Sequence, residues 1–210
     1  MITSYKDITV NKYLELQKLL EEDYDDLTVQ VKMISILSGI DENSILHLPL
    51  AEYHRMVLGT AFLLEKPKLT KSIPNKITID GKKFKVCKDI PSINVAQYVD
   101  YNNLTKMEDK DKYIPNILAC FIVPDGHTYG DEKYKVDDVA ELLGDHMCIE
   151  DALGVCFFFH KKYRRLIEDT LIYLEWKLRR MRRKTKDKEK ITTAMNQIQE
   201  LRSLLENGLG

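Results

Sequence analysis

Apolar residues recur at helical spacing through the first 66 residues of the chain. One apolar stripe has spacings of four, three and three residues and consists of Leu27, Val31, Ile34 and Leu37. That spacing predicts a helix with one buried face. Thr9 is a suitable N-cap for an earlier helix, and Asp25 or Asp26 for the helix that carries the stripe. The N-terminal third is therefore predicted to be a small cluster of helices.

The pattern changes from helical to alternating between residues 76 and 87. Apolar and polar residues alternate on both sides of Asp80-Gly81, with Ile77 and Ile79 before it and Phe84 and Val86 after it. An Asp-Gly pair between two alternating runs is a strong indicator of a β-hairpin. Helical patterns return afterwards, and we expect helices through Val95 and Leu104, around Tyr113 to Val123, and from Val136 to Gly144.

From Ile149 the sequence is compatible with helix almost to its end. Two apolar seams follow one another along this stretch. The first consists of Tyr163, Ile167, Thr170, Leu174, Leu178 and Met181, and the second of Ile191, Met195, Ile198, Leu201 and Leu205. Seams of this spacing are covered by a second helix, and the polar stretch 184–190 connects them. Residues 160–206 are therefore predicted to form an αα-hairpin, each arm about 30 Å long at 1.5 Å per residue.

The predicted fold class is mainly α (α+β). We expect a mainly helical domain over residues 1–159, with its β-hairpin near residues 76–87, and a projecting basic αα-hairpin over residues 160–210. A chain of 210 residues can bury a sizeable core without disulfides or a metal ion. No apolar run approaches the ~20 residues that span a bilayer, and the first residues do not have the pattern of an export signal. The expectation is therefore a protein without a membrane partner.

A near-zero net charge conceals a strong asymmetry along the chain. The whole sequence carries −1, but residues 1–60 hold 5 basic and 10 acidic residues, and residues 161–210 hold 14 and 7. An acidic head and a basic tail suit head-to-tail association of copies or an acidic partner at the C-terminal end. Long surface helices that simply carry many charges are the alternative explanation.

The sequence lacks the common motifs of catalysis and cofactor binding. No phosphate-binding glycine loop, zinc-protease motif, nucleophile elbow or EF-hand pattern is present. The four cysteines form no C-x-x-C pair, and His146 and Cys148 lack the further ligands that a zinc site needs. The expectation is a protein without enzymatic activity, cofactor or metal ion.

The strongest electrostatic feature is a cluster of arginines near the end of the first seam. It consists of Arg179, Arg180, Arg182 and Arg183. Three interpretations stay open for it: pairing with acidic residues of neighbouring subunits, contact with nucleic acid, or a solvated helix face. Trp176, the single tryptophan, is expected to be a packing anchor at an interface rather than a platform for bases.

Several short segments, in their order along the chain, resemble a family of tailed-bacteriophage proteins. The segments are residues 7–13, 33–39, 48–50, 79–84, 93–100 and 118–126 with Tyr129, and they fall within residues 5 to about 160. The family comprises small tail structural proteins and tail-assembly-chaperone-like proteins, including those of crAss-like phages. The resemblance implies a non-enzymatic protein that assembles with phage tail components.

From the sequence we expect a structural subunit of a phage tail ring or of the neck-to-tail conduit. Its partners would be copies of itself and other tail or portal-proximal proteins, in the host cytoplasm during assembly and in the virion afterwards. The predicted interface residues are Tyr163, Ile167, Leu174, Trp176, Arg179, Arg180, Arg182 and Arg183. The alternatives are a tail-assembly chaperone absent from the virion and a DNA-binding protein that uses the basic C-terminal helices.

Overall fold

The structure, a computed structural model, describes residues 2–70, 72–184 and 188–207, without the side chains of residues 182–184, 188, 204, 206 and 207. It is mainly helical with a small antiparallel sheet and a C-terminal helix hairpin, which confirms the predicted fold class. The chain divides into two compact units, Met1–Cys156 and Phe157–Gly210.

Four helices occupy the N-terminal part of the first unit. They are α1 (Val10–Glu21), α2 (Asp26–Ser38), α3 (Glu42–Leu46) and α4 (Leu50–Gly59). The predicted caps are confirmed: the Thr9 side chain accepts a hydrogen bond from the Lys12 backbone N–H, and Asp25 accepts from Leu27 and Thr28. Three residues that α2 and α3 bury, Val31, Ile34 and Ile45, form the centre of this helical cluster.

The predicted hairpin is confirmed as strands β1 (Lys76–Ile79) and β2 (Lys82–Val86). The strands are antiparallel, and Lys76 lies opposite Lys85. Asp80 and Gly81 both have positive φ, 48° and 72°, as a two-residue hairpin turn requires. Phe84 is buried, so the hairpin places its apolar side against the core.

A third strand shows that the helix predicted around Tyr113 to Val123 is too long. The helix there, α6 (Ile114–Ala119), ends early, and β3 (Ile122–Pro124) pairs with β2. The Cys87 N–H donates to the Phe121 carbonyl at 2.8 Å, and the Asp125 N–H donates to the Lys83 carbonyl at 2.9 Å. Because β2 offers unpaired backbone groups at its edge, pairing there outweighs the helical preference of a short apolar run.

Between β2 and β3 in the sequence, α5 (Val95–Leu104) forms where a helix is expected, but two of the apolar residues whose spacing predicts it are exposed. Val95 and Val99 are exposed, whereas Gln97 and Tyr101 are buried. The Gln97 side-chain N–H donates to the Cys120 carbonyl at 2.8 Å, which satisfies a buried backbone acceptor. A polar residue therefore occupies the core side of this helix.

Two further helices complete the first unit. They are α7 (Val136–His146) and the beginning of α8 (Ile149–Lys184), whose later part belongs to the second unit. Between them, the Val10 N–H donates to the Met147 carbonyl, and the Ile149 N–H donates to the Ile8 carbonyl. The start of the chain is thus hydrogen-bonded to the start of α8.

The second unit consists of the later part of α8 and of α9 (Lys188–Asn207). An ion pair joins Arg202 to Glu175 at 2.6 Å, so the two helices lie side by side in one chain. On α9, Ala194 and Ile198 are buried whereas the predicted seam residue Met195 is half exposed. The α9 seam therefore runs through Ala194, because its 3-4-3-4 spacing follows the helical repeat more closely than a seam through Met195.

Candidate interaction surfaces

The eight predicted interface residues do not share one surface. Tyr163 and Ile167 are buried and Leu174 is half-buried, all on one side of α8. Trp176, Arg179 and Arg180 are exposed on the remaining circumference of the helix. The side chains of Arg182 and Arg183 lie outside the described residues. The apolar members belong to the seam, and the tryptophan and the two described arginines are available for contact.

An aromatic surface covers the side of α8 opposite its seam. We call it the aromatic face, and it consists of Ile172, Tyr173 and Trp176, which are 67%, 55% and 54% exposed. The Tyr173 and Trp176 rings have their centroids 6.3 Å apart. At about 100° per residue, these positions point away from the side that holds Tyr163 and Ile167. Large apolar side chains exposed together mark an interaction surface.

Basic side chains stand over and around the aromatic face. The Arg180 guanidinium lies 5.4 Å from the centre of the Trp176 ring, and Lys177 Nζ lies 6.0 Å from the centre of the Tyr173 ring. Both geometries are cation–π contacts. Neither Arg179 nor Arg180 forms an ion pair with a carboxylate of the described residues. This face therefore combines exposed aromatic area with uncompensated positive charge.

A second apolar surface is a groove within the first unit, between α1, α2, α4 and the 3₁₀ turn Ala61–Leu64. Its volume is about 530 Å³. Leu58 and Leu64 line it and are 75% and 91% exposed, and Leu20 lines its α1 side. None of the lining side chains is charged. The groove can accept apolar and aromatic side chains.

An acidic stretch lies at the end of α1, beside the groove. Residues 21–26 contain five carboxylates and no basic residue, and all are exposed. They directly follow Leu20 of the groove lining. Among them, Asp25 is held by Thr28: its Oδ2 accepts from the Thr28 hydroxyl at 2.6 Å, which lowers the pKa of the carboxyl. Negative charge therefore stays at this end of the groove at neutral pH.

The helical pattern of the sequence did not predict the groove. Leu64 is one of the apolar residues that predict a helix from Leu50 to about Lys66. The structure instead ends α4 at Gly59 and continues in a 3₁₀ turn in which Leu64 is exposed, and Leu58, within α4, is exposed as well. The indication of the groove that the sequence offered was a group of apolar residues on both sides of Gly59, where α4 ends.

A polar cluster in the first unit has a structural role. Tyr129 donates its hydroxyl to Asp100 Oδ2 at 2.8 Å, and the Asn94 side chain donates to the Tyr129 carbonyl at 2.8 Å. Beside it, burial raises the pKa of the Cys120 thiol to about 12. A thiol with that pKa stays protonated at neutral pH and is a poor nucleophile.

Metal and membrane features are absent from the described part of the chain. No three or more His, Cys, Asp or Glu side chains come together there in a way that could hold a metal ion. None of the described helices combines the length and the apolar character that crossing a membrane demands.

Comparison with known proteins identifies no relative. No protein-family model, no curated protein and no solved structure matches this chain.

Proposed function

We propose that the protein is a non-enzymatic structural subunit of a bacteriophage tail ring or barrel, which self-assembles and contacts other tail proteins. The observation that carries the proposal is a pair of unlike surfaces on one chain. The groove is apolar with an acidic end, and the aromatic face is flanked by arginine and lysine.

Unlike surfaces on one chain are what a heterologous contact needs. When the face of one copy meets the groove of the next, each copy keeps one free surface, and rotation between copies closes a ring. Aromatic and arginine side chains are the residue types enriched where interfaces gain most of their binding energy. Opposite charges at the acidic stretch and at Arg179 and Arg180 support the same pairing.

The choice of a phage tail rests on the resemblance of the six short segments and Tyr129 to tail proteins. A tail ring is built from many copies of small non-enzymatic subunits, which agrees with the pair of surfaces. Mass spectrometry of purified particles of a phage that encodes this chain tests the assignment. We expect the protein in multiple copies per particle; its absence from particles would instead support the assembly-chaperone alternative.

The proposed contact is tested by complementary variants. Leu58→Glu with Leu64→Glu blocks the groove, and Tyr173→Ser with Trp176→Ser removes the aromatic face. All four residues are exposed, so folding is expected to persist. Each double variant alone should be a monomer by light scattering, whereas the wild type should form a defined multiple of 24.5 kDa.

An equimolar mixture of the two double variants distinguishes a contact between the aromatic face and the groove from a symmetric contact between two like surfaces. The mixture keeps one intact groove and one intact face, so we expect a complex of twice 24.5 kDa. Val95→Glu is the matched control, because Val95 is exposed on α5 outside both surfaces, and it should keep the wild-type mass. Wild-type association by both double variants, or a monomeric wild type, would refute the contact.

A further inference from the structure

Residues 66–88 form the most basic stretch of the first unit. They contain eight lysines and a single acidic residue, Asp80. Lys71 lies outside the described residues, and Lys88 is half-buried while the other six are exposed. This segment includes both strands of the hairpin, so the sheet carries a large share of this charge.

Three of these lysines come together on one face of the sheet. We call it the lysine face, and it consists of Lys76, Lys83 and Lys85. Lys76 lies directly opposite Lys85, and Lys83 lies opposite Thr78. Since side chains alternate along a strand, the three lysines share the face away from the buried Phe84 and Val86.

Within the described part of the chain, one carboxylate forms an ion pair with the lysine face. Asp125 Oδ2 lies 2.7 Å from Lys76 Nζ, and this contact, with Lys83 and Lys85 nearby, lowers the pKa of Asp125. Like charges directly opposite each other on a sheet are destabilising. Asp125 offsets this repulsion at Lys76, but Lys83 and Lys85 form no ion pair with a described carboxylate, which leaves their charge for an external anion.

The surroundings of the lysine face favour a phosphate polymer over a protein partner. Among the described residues between Leu69 and Val95, no large apolar side chain is exposed. Protein interfaces need such anchors, and their cores are poor in lysine. Charge alone must supply the affinity here, as it does on a nucleic-acid backbone.

The same surroundings favour a duplex over a single strand. Proteins that bind single strands stack bases on aromatic side chains. The one aromatic residue of the hairpin, Phe84, is buried on the other face. Lys83 and Lys85 are about 7 Å apart along β2, a distance over which a duplex presents about four phosphates.

We infer that the lysine face binds the phosphate backbone of a nucleic-acid duplex without reading its sequence. Lysines contact phosphates as point charges, and phosphate contacts fix register on a duplex without carrying sequence information. This inference does not depend on the proposed self-assembly, since it uses neither the groove nor the aromatic face.

The test is fluorescence anisotropy with a labelled 20-base-pair DNA duplex of random sequence, between 50 and 200 mM salt. We compare the wild type with the triple variant Lys76→Gln, Lys83→Gln, Lys85→Gln. Three lost phosphate contacts should reduce the steepness of log affinity against log salt by about 2.7. Raising the salt from 50 to 200 mM should therefore weaken binding by the wild type about 40-fold more than binding by the triple variant. A triple variant that binds like the wild type would overturn the inference.

Matched controls assign the effect to this face. Lys6→Gln with Lys18→Gln and Lys106→Gln removes three exposed lysines elsewhere in the same unit and should leave the slope within one unit of the wild type. Arg179→Gln with Arg180→Gln should keep most of the affinity. If the loss follows these arginines instead, the C-terminal helices bind the duplex and the inference is wrong.

Competition separates the duplex from the other polyanions. Unlabelled duplex should displace the probe at a lower concentration of charge than a single strand or polyglutamate does. Displacement by polyglutamate at equal charge would show that the face docks acidic polypeptide and would overturn the inference. Repeating the titration with Leu58→Glu/Leu64→Glu, in which the groove is blocked, shows whether binding persists without self-association. Persistence is the expected result.

Discussion

Glu150 is a residue whose role depends on its tertiary neighbours. It is only 8% exposed, and its Oε1 accepts a hydrogen bond from the Lys68 backbone N–H at 2.9 Å. It also lies in the first turn of α8, where a carboxylate interacts favourably with the helix dipole.

Glu150→Ala is expected to destabilise the first unit by about 1–3 kcal/mol, because the Lys68 N–H loses its acceptor in a partly buried position. Urea unfolding measures the change. Glu141→Ala, an exposed glutamate on α7, is the matched control and should change stability by less than about 0.5 kcal/mol. Equal effects of the two variants would contradict the role assigned to Glu150.

The N-cap aspartates make stability depend on pH in the acid range. Hydrogen bonds from the Thr28 hydroxyl and the Ser44 hydroxyl are the main cause that lowers the pKa of Asp25 and of Asp41. The folded state therefore holds these protons less tightly than the unfolded state. Their contribution is complete above pH ~4 and is lost as pH falls through the lowered pKa values.

Asp25→Asn with Asp41→Asn should flatten this part of the acid dependence, because asparagine still caps a helix but does not titrate. The measurement is the urea midpoint at pH 7, 4 and 3. Between pH 4 and 3, the urea midpoint of the wild type should fall further than the urea midpoint of the double variant. Parallel curves would show that other carboxylates determine the acid response.

At the scale of elements, α8 is tied to the segment before the hairpin by a close backbone approach. A Cβ added at Gly154 would lie 2.9 Å from the Thr70 carbonyl oxygen. The lysine-rich stretch, residues 66–88, begins four residues before Thr70. The Thr70 hydroxyl donates to Asp151 Oδ1 at 2.5 Å. The contact positions this stretch on the first unit.

Gly154→Ala should destabilise the protein by about 1–3 kcal/mol, although alanine favours helix by about 1 kcal/mol. The backbone of Thr70 has to move, and this displacement breaks the hydrogen bond from the Thr70 hydroxyl to Asp151. Gly144→Ala is the comparison, because the atoms nearest to its added Cβ are the end of the Asn11 side chain, which can turn away at the cost of its exposed hydrogen bond to Asp145. Thermal unfolding should rank Gly154→Ala as the less stable variant, and the opposite order would refute this explanation.

At the scale of the whole molecule, charge is segregated between the two ends of the sequence. The first 60 residues carry −5 and residues 161–210 carry +7. Self-assembly that uses this segregation should weaken as salt screens it, over a Debye length of about 10 Å at 0.1 M.

Replacing Arg179, Arg180, Arg182 and Arg183 with Glu should weaken assembly and leave the monomer folded. Arg179 and Arg180 are exposed and make no ion pair with a described carboxylate, so the internal contact that is lost among the described side chains is the cation–π contact of Arg180 with Trp176, at the helix surface. Light scattering at low and moderate salt gives the mass, and circular dichroism checks helix content. Assembly that survives the replacement would show that charge pairing does not hold the copies together.

Local patterns were sufficient for the elements whose residues interact with near neighbours in sequence. The Thr9 cap, the Asp25 cap and the Asp80-Gly81 turn depend on residues at most three positions away, so the sequence alone predicted them. The helix hairpin was also predictable, because seams repeated over many turns leave few alternatives to pairing.

Which face of an element is buried, and where an apolar run ends, was decided by the tertiary structure. Ile122–Pro124 became a strand because the edge of β2 lies beside it, and Gln97 is buried because the Cys120 carbonyl needs a donor. The sequence likewise placed Tyr163 and Ile167 in a seam and put Trp176 on the same helix, but only the tertiary structure shows that Trp176 is left exposed. Periodicity determines which residues share a face, whereas burial depends on partners that are distant in sequence.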